Sequence, residues 1–114
     1  MIRKMKEEDL QQCGVIYAKA FPAEYWGIDW NPDNAKEYLL DYYEQKKFVG
    51  YVYEEDDVVI GCIFALCKIS GSKKEIYINE MAVLPERQPN SMKIMVLNCH
   101  KELFVCIVSK FRFV

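Results

Sequence analysis

The residues best suited to chemistry in this chain lie in the stretch INEMAVLPERQPNSMKIMVL, residues 78 to 97. An alternating apolar strand runs into Leu-Pro-Glu-Arg-Gln, and an apolar pattern at helical spacing follows. A strand that turns directly into a helix can present backbone N–H groups to a phosphate. Such a turn normally carries glycines, which let the main chain approach closely and adopt positive φ. Here the turn holds Pro89, Asn90, Ser91 and Lys93 instead. Pro89 removes one N–H donor, and the Lys93 charge is no substitute for a converging set of amides. Other reactive side chains are scattered. Cys13, Cys62, Cys67, Cys99 and Cys106 are odd in number, widely spaced and without a CxxC pair, so neither a disulfide framework nor a metal site is expected. His100, the only histidine, sits beside Lys101 and Glu102 without ligand spacing and reads as a surface residue.

The elements that must position that turn can be traced along the chain. MIRKM alternates and suits an edge strand. KEEDLQQCGVIYAKAF sets Leu10, Cys13, Ile16, Tyr17 and Ala20 on one helical face, and Pro22 ends the helix. AEYWGIDWNPDN is an aromatic, turn-rich connection, and Asp33 or Asn34 is the expected cap of AKEYLLDYYEQ, which presents Tyr38, Leu39 and Tyr42 together. FVGYVYEED and DVVIGCIFALCKI, joined by a short acidic turn, predict a hairpin, and EIYINEMAVL follows after SGSKK as a third strand. Met92, Met95, Val96, Cys99 and Leu103 predict another helix, and VCIVSKFRFV a final strand. The order β-α-α-β-β-β-α-β is an α/β or α+β sandwich in a single domain over residues 1–114.

This order, with IRKMKEEDL, IYAKAF, FVGYVYEEDDVVIGCI and above all YINEMAVLPERQ, resembles the GNAT superfamily of acetyl-CoA-dependent N-acetyltransferases over roughly residues 2 to 88. The resemblance implies a mixed sheet whose fourth strand ends in a Q/R-x-x-G-x-G/A loop around the cofactor pyrophosphate. Gln88 matches the leading Gln, while Ser91 and Lys93 stand at the two small-residue positions, so weakened or lost acetyl-CoA binding is expected. By the same resemblance Gln88, Pro89, Asn90, Ser91, Met92 and Lys93 surround the pyrophosphate, the alternative being an ordinary strand-to-helix turn. Met81, Ala82 and Val83 offer backbone groups to the pantetheine arm, or are simply core. Glu80 corresponds to a carboxylate that deprotonates the acceptor amine, which has no lone pair to attack a thioester while protonated. The alternative is a solvated or paired strand carboxylate. Trp26 and Trp30 wall the acceptor site or pack over the sheet.

Family members continue past their fifth strand with a further helix and two strands, so a chain ending at Val114 reads as incomplete at its C-terminus, as after a disrupted reading frame. An apolar last strand leaves an edge that invites a homodimer. Net charge of −2 and a pI near 5.4 argue against nucleic acid and anionic membranes. The charged N-terminus and a longest apolar run of VVIGCIFALC fit neither a signal peptide nor a membrane span, so a cytoplasmic protein is expected. The functional expectation is acetyl transfer from acetyl-CoA to a small-molecule or peptide primary amine. Against it stand an inactive remnant of the fold stabilised by oligomerisation, and an unrelated small α/β binding module.

Overall fold

The computed structural model describes residues 1–87 and the backbone of residues 106–108. Strand β1 (Ile2–Lys4) leads through a single 3-10 turn (Glu7–Asp9) into helix α1 (Leu10–Ala20). Helices α2 (Ala23–Trp26) and α3 (Pro32–Tyr43) precede strands β2 (Phe48–Glu55), β3 (Val58–Ser70) and β4 (Lys73–Val83). A 3-10 turn (Pro85–Arg87) follows β4, and β5 (Cys106–Val108) completes the described elements. The helix expected around Met92 to Leu103 lies outside the described residues.

Local chemistry explains most boundaries. Asn31, and not Asp33 or Asn34 as expected, caps α3: its side chain accepts from the Asn34 backbone at 2.9 Å, and Asn34 Oδ1 accepts from the Asn31 N–H at 2.8 Å. Pro32 then occupies the first helical position, where its missing N–H costs nothing. The β2–β3 turn places both Asp56 (φ 51°) and Asp57 (φ 64°) in the left-handed region, the geometry of a two-residue hairpin turn that suits strand twist. Gly71 (φ 62°) does the corresponding work between β3 and β4.

The sheet order is β1-β2-β3-β4-β5. The first four strands pair antiparallel as a meander, and β5 runs parallel to β4. Helices α1 and α3 pack against each other over one face of the sheet. That face buries Val52, Cys62, Phe64 and Ala82 against Leu10, Cys13, Tyr17 and Leu39. The other face buries Tyr51, Ile63, Ala65, Ile76, Ile78, Met81 and Val83. Cys13 and Cys62 are buried free thiols in contact across the helix–sheet interface. The hydrogen bond between them, with burial, pushes Cys13 far above the usual thiol range, so it behaves as a small hydrophobe.

A polar clamp fixes β1 to the start of α1. Arg3 donates to both oxygens of Asp9, at 2.8 and 2.9 Å, and through Nε to Glu54 at 2.9 Å on β2. Asp9 also accepts from the Lys6 N–H at 2.7 Å. The Arg3 bonds, helped by Lys6, hold the Asp9 carboxyl below its usual range, although burial pushes the other way. The bonds to Asp9 and Glu54 in turn push Arg3 up.

Candidate active site

Glu80 is, with Asp9, one of two buried acidic residues among those described; it is 3% exposed. Its direction is set by an irregularity in β4. Phe64 pairs with Glu80 but Ala65 pairs with Ile78, so Asn79 is an extra residue on β4, a β-bulge. Before the bulge Ile76 and Ile78 face away from α1 and α3; after it Met81 and Val83 take that side. Ala82 faces the helices, as does Glu80, which reaches Tyr17 on α1. The inserted residue therefore changes which positions of β4 point at the helical layer. Without it, regular alternation would put Glu80 on the side of Ile76 and Ile78.

Two helices meet Glu80. Tyr17 of α1 donates to Oε1 at 2.5 Å, and Tyr38 of α3 donates to Oε2 at 3.2 Å. The Tyr38 hydroxyl also lies 3.2 Å from that of Tyr42, one turn along α3. Gly14 makes this convergence possible. A Cβ at Gly14 would stand 2.5 Å from the Pro32 carbonyl oxygen and 3.0 Å from the Lys36 backbone nitrogen, so α1 and α3 touch main chain to main chain there.

Other aromatic rings pack against the two tyrosines that bond the carboxylate. Trp30 meets Tyr17 edge-on at 5.2 Å between centroids and leans on Tyr38 at 4.9 Å. Tyr17 lies 5.8 Å from Tyr38, and Phe21 bridges Tyr17 (4.6 Å) to Trp26 (5.4 Å). Both tryptophans thus pack on the face that carries Glu80, which is the packing alternative of the sequence reading. Two buried polar atoms near this region, Trp30 Nε1 and Asn79 Oδ1, meet no hydrogen-bond partner among the described residues. Buried polar groups are usually satisfied, so each marks a place where packing was not the sole constraint.

The remaining expected site residues divide in two. Met81, Ala82 and Val83 follow Glu80 on β4, are at most 2% exposed, and pair with Ile63, Cys62 and Gly61 of β3. Their side chains are core, which leaves main chain as their means of contact with a ligand. The described ladder from β4 to β5 joins Ile76 to Cys106, Tyr77 to Ile107 and Ile78 to Val108, and the bulge begins at the next residue. Gln88, Pro89, Asn90, Ser91, Met92 and Lys93 lie outside the described residues, as do Cys99 and His100. Tyr51 is buried core and Tyr53 packs beside it. Tyr77 donates to Glu75 at 2.8 Å with Lys68 over its ring at 4.9 Å, a surface cluster.

Two open depressions lie elsewhere. One, of about 650 Å³, is lined by Glu7, Gln11, Lys36 and Glu44; another, of about 350 Å³, by Lys4, Tyr43, Phe48 and Gly50. Neither is lined by Glu80. Among the described residues no group of His, Cys, Asp and Glu could hold a metal ion, and no helix is long and apolar enough to cross a membrane.

No protein-family model matches the chain, and no curated protein matches it by sequence. Solved structures do match. A GNAT family acetyltransferase of Staphylococcus aureus superposes with a TM-score of 0.74 at 11% identity, covering 98% of this chain and 87% of that one. An acetyltransferase of Vibrio fischeri gives 0.67 at 24% identity, with 95% and 93% covered. A possible acetyltransferase of Clostridium difficile gives 0.71 at 17% identity, with 96% and 80% covered. At such identities the likeness speaks to architecture. The domain has the α+β fold of the GNAT acetyltransferases, as the strand and helix order had implied.

Proposed function

We propose that this domain is an N-acetyltransferase that moves acetyl from acetyl-CoA to a primary amine, with Glu80 as the base. The observation that carries the reading is the Asn79 bulge, which turns Glu80 toward α1 and α3 immediately beyond the described β4–β5 ladder. A bulge leaves local main-chain groups outside the regular ladder. Met81, Ala82 and Val83, with side chains committed to the core, would hold the thioester arm through their backbones. Acetyl-CoA, when bound, supplies the activated acyl group. Glu80 would take a proton from the incoming ammonium and so free the lone pair that forms the C–N bond; the thioester C–S bond would break in the same exchange, and coenzyme A would leave as its thiol with the second nitrogen proton. Tyr17 keeps the carboxylate in place while this happens.

A second reading, an inactive domain of the same fold, draws on the burial of Glu80 against Tyr17 and Tyr38, and on Ser91 and Lys93 at the two small-residue positions of the loop that the sequence resembles. Calorimetric titration with acetyl-CoA separates the two: saturable heat at micromolar concentration supports the transferase, and absence of heat supports the inactive domain. Where heat is seen, Glu80→Gln should lower kcat for thiol release at least tenfold while acetyl-CoA affinity is kept. The free thiols Cys13, Cys62 and Cys67 suit a reducing cytoplasm. The apolar segment VCIVSKFRFV favours a homodimer, which sedimentation would detect.

A further inference from the structure

We propose that the depression between the end of α3 and the start of β2 is a binding site for a small aromatic carboxylate, one flat ring bearing one acid. The inference goes beyond the acetyltransferase reading and does not rest on it, since Glu80, Tyr17 and Tyr38 do not line this space. Its first ground is the wall. The rings of Tyr43 and Phe48 stand 5.1 Å apart between centroids, tilted by 54°, and Phe48 leans on Phe64 at 5.7 Å. Tyr43 and Phe48 both line the depression and are half-buried, so ring area remains open to a ligand. Edge-on or offset contact with a further ring suits such a pair. Met5, in the same lining, adds a polarizable thioether that also favours aromatic neighbours. Gly50 is what allows this arrangement. A Cβ there would overlap the Phe48 ring and stand 3.3 Å from the Met5 Cβ, so any side chain would displace the wall.

The second ground is charge. Lys4 lines the depression, is exposed, and forms no ion pair among the described residues. Lys46 and Lys47, exposed and equally without an ion pair among them, lie between two further lining residues, Gln45 and Phe48. The Gln45 carbonyl accepts from the Phe48 N–H at 3.0 Å, so this lysine pair is held in a closed turn beside the aromatic wall. Three ammonium groups therefore stand against the neighbouring Glu44, a balance that attracts an anion. The carbonyl end of α3 works the other way, but its Leu40 and Tyr42 carbonyls already accept from the Glu44 and Gln45 N–H groups. The third ground is size. A volume of about 350 Å³ is near the lower end of small-molecule sites, roughly 300–1,000 Å³, which suits a single ring and not a nucleotide. The larger depression has no aromatic residue in its lining and sets Glu7, Glu8 and Glu44 around Lys36, so it offers the opposite field.

The test uses the full chain, labelled at its methionine methyl groups, and benzoate with its neutral isostere benzamide as probes in NMR titrations. Benzoate should shift the Met5 methyl by ring current, saturably and in the millimolar range. Met81, buried on the other face of the sheet, should stay unmoved. Benzoate should bind about two- to fivefold tighter than benzamide, and Lys4→Gln, a surface change, should remove that preference, the effect of one exposed charge pair. Phe48→Leu, which keeps an apolar side chain but removes the ring, should weaken both probes about two- to tenfold. Lys36→Gln, in the other depression, should leave both affinities as they are. No saturable Met5 shift, equal affinity for the two probes, or a preference that survives Lys4→Gln each overturns the proposal. Heat with acetyl-CoA, or its absence, decides the transferase reading and leaves this site standing or fallen on its own result.

Discussion

Gly14→Ala is the sharpest probe of how the helices reach Glu80. In an isolated helix the change would be favourable by about 1 kcal/mol, because glycine in a helix interior costs backbone entropy. Here the added Cβ would lie 2.5 Å from the Pro32 carbonyl oxygen, where ordinary contact begins at 3.4 Å, so the helices must separate by about 0.9 Å at that point. The obstructing atom is backbone, and that carbonyl opens α3, so no side-chain rotation relieves the clash. Overpacking of this kind costs about 1–3 kcal/mol, and the rigid contact places this case toward the upper end. The net expectation is a loss of about 1–2 kcal/mol, or roughly 4–8 °C in Tm for a domain of this size. A second consequence is local. Tyr38 rides on α3 and its bond to Glu80 is already 3.2 Å, so a few tenths of an ångström break it, whereas the 2.5 Å Tyr17 bond belongs to α1 itself. Tyr38→Phe should therefore cost about 1 kcal/mol in the parent chain and close to nothing in the Gly14→Ala background. Urea unfolding of the four chains measures both quantities. A Gly14→Ala chain more stable than the parent, or additive effects with Tyr38→Phe, would refute the close α1–α3 contact as the source of Tyr38 placement.

Tyr17→Phe keeps the ring but takes a donor from a buried carboxylate oxygen, so denaturant midpoints should report a loss of about 1–3 kcal/mol; a change below about 0.5 kcal/mol would contradict the bond. Arg3 holds the folded-state Asp9 carboxyl below its unfolded value of about 3.9, so the contribution is complete above that pH and disappears as pH falls through the folded value. Thermal melts should accordingly lose stability on acidification below about pH 4, and Asp9→Asn should be less stable at pH 7 with a shallower acid dependence. Deleting Asn79 removes the bulge yet keeps Ile78 and Glu80 on their present faces, so circular dichroism should show a folded chain while acetyl-CoA affinity falls at least tenfold; retained affinity would separate the bulge from cofactor binding.

The meander was legible because its signals are local: alternating apolar residues and short turns of acidic or glycine residues declare a hairpin without reference to the rest of the chain. Helices α1 and α3 were legible from their apolar faces, whereas α2 (Ala23–Trp26) is a single turn inside the stretch read as an aromatic connection. The cap of α3 was misplaced because Asn31, Asp33 and Asn34 all qualify chemically, and only the reciprocal Asn31–Asn34 bonds choose among them. The companions of Glu80 were out of reach by distance in sequence, Tyr17 being 63 and Tyr38 42 residues away. A signal existed nonetheless. Each tyrosine stands on the apolar face of its helix, and a buried phenol needs a polar partner, while Glu80 is an acidic residue within EIYINEMAVL, a strand that is otherwise largely apolar toward its end. The bulge had no such trace, since it arises from the register of β3 against β4 and not from either strand alone.

That register is held by chemistry at both faces. Were Asn79 drawn into regular pairing, Glu80 would turn toward Ile76 and Ile78, in an apolar cluster. A carboxylate placed there without hydrogen bonds would cost several kcal/mol. In the bulged register it instead accepts from two phenols, and the apolar side chains on both sides of the bulge remain buried. The bulge in turn leaves Asn79 Oδ1 buried without a partner among the described residues, a local deficit that regular pairing would not require. A sheet selected for packing alone would gain by discarding both the extra residue and the buried acid. Their retention together, with Tyr17 and Tyr38 arriving from two different helices, argues that the direction of one carboxylate is what this part of the fold is arranged to secure.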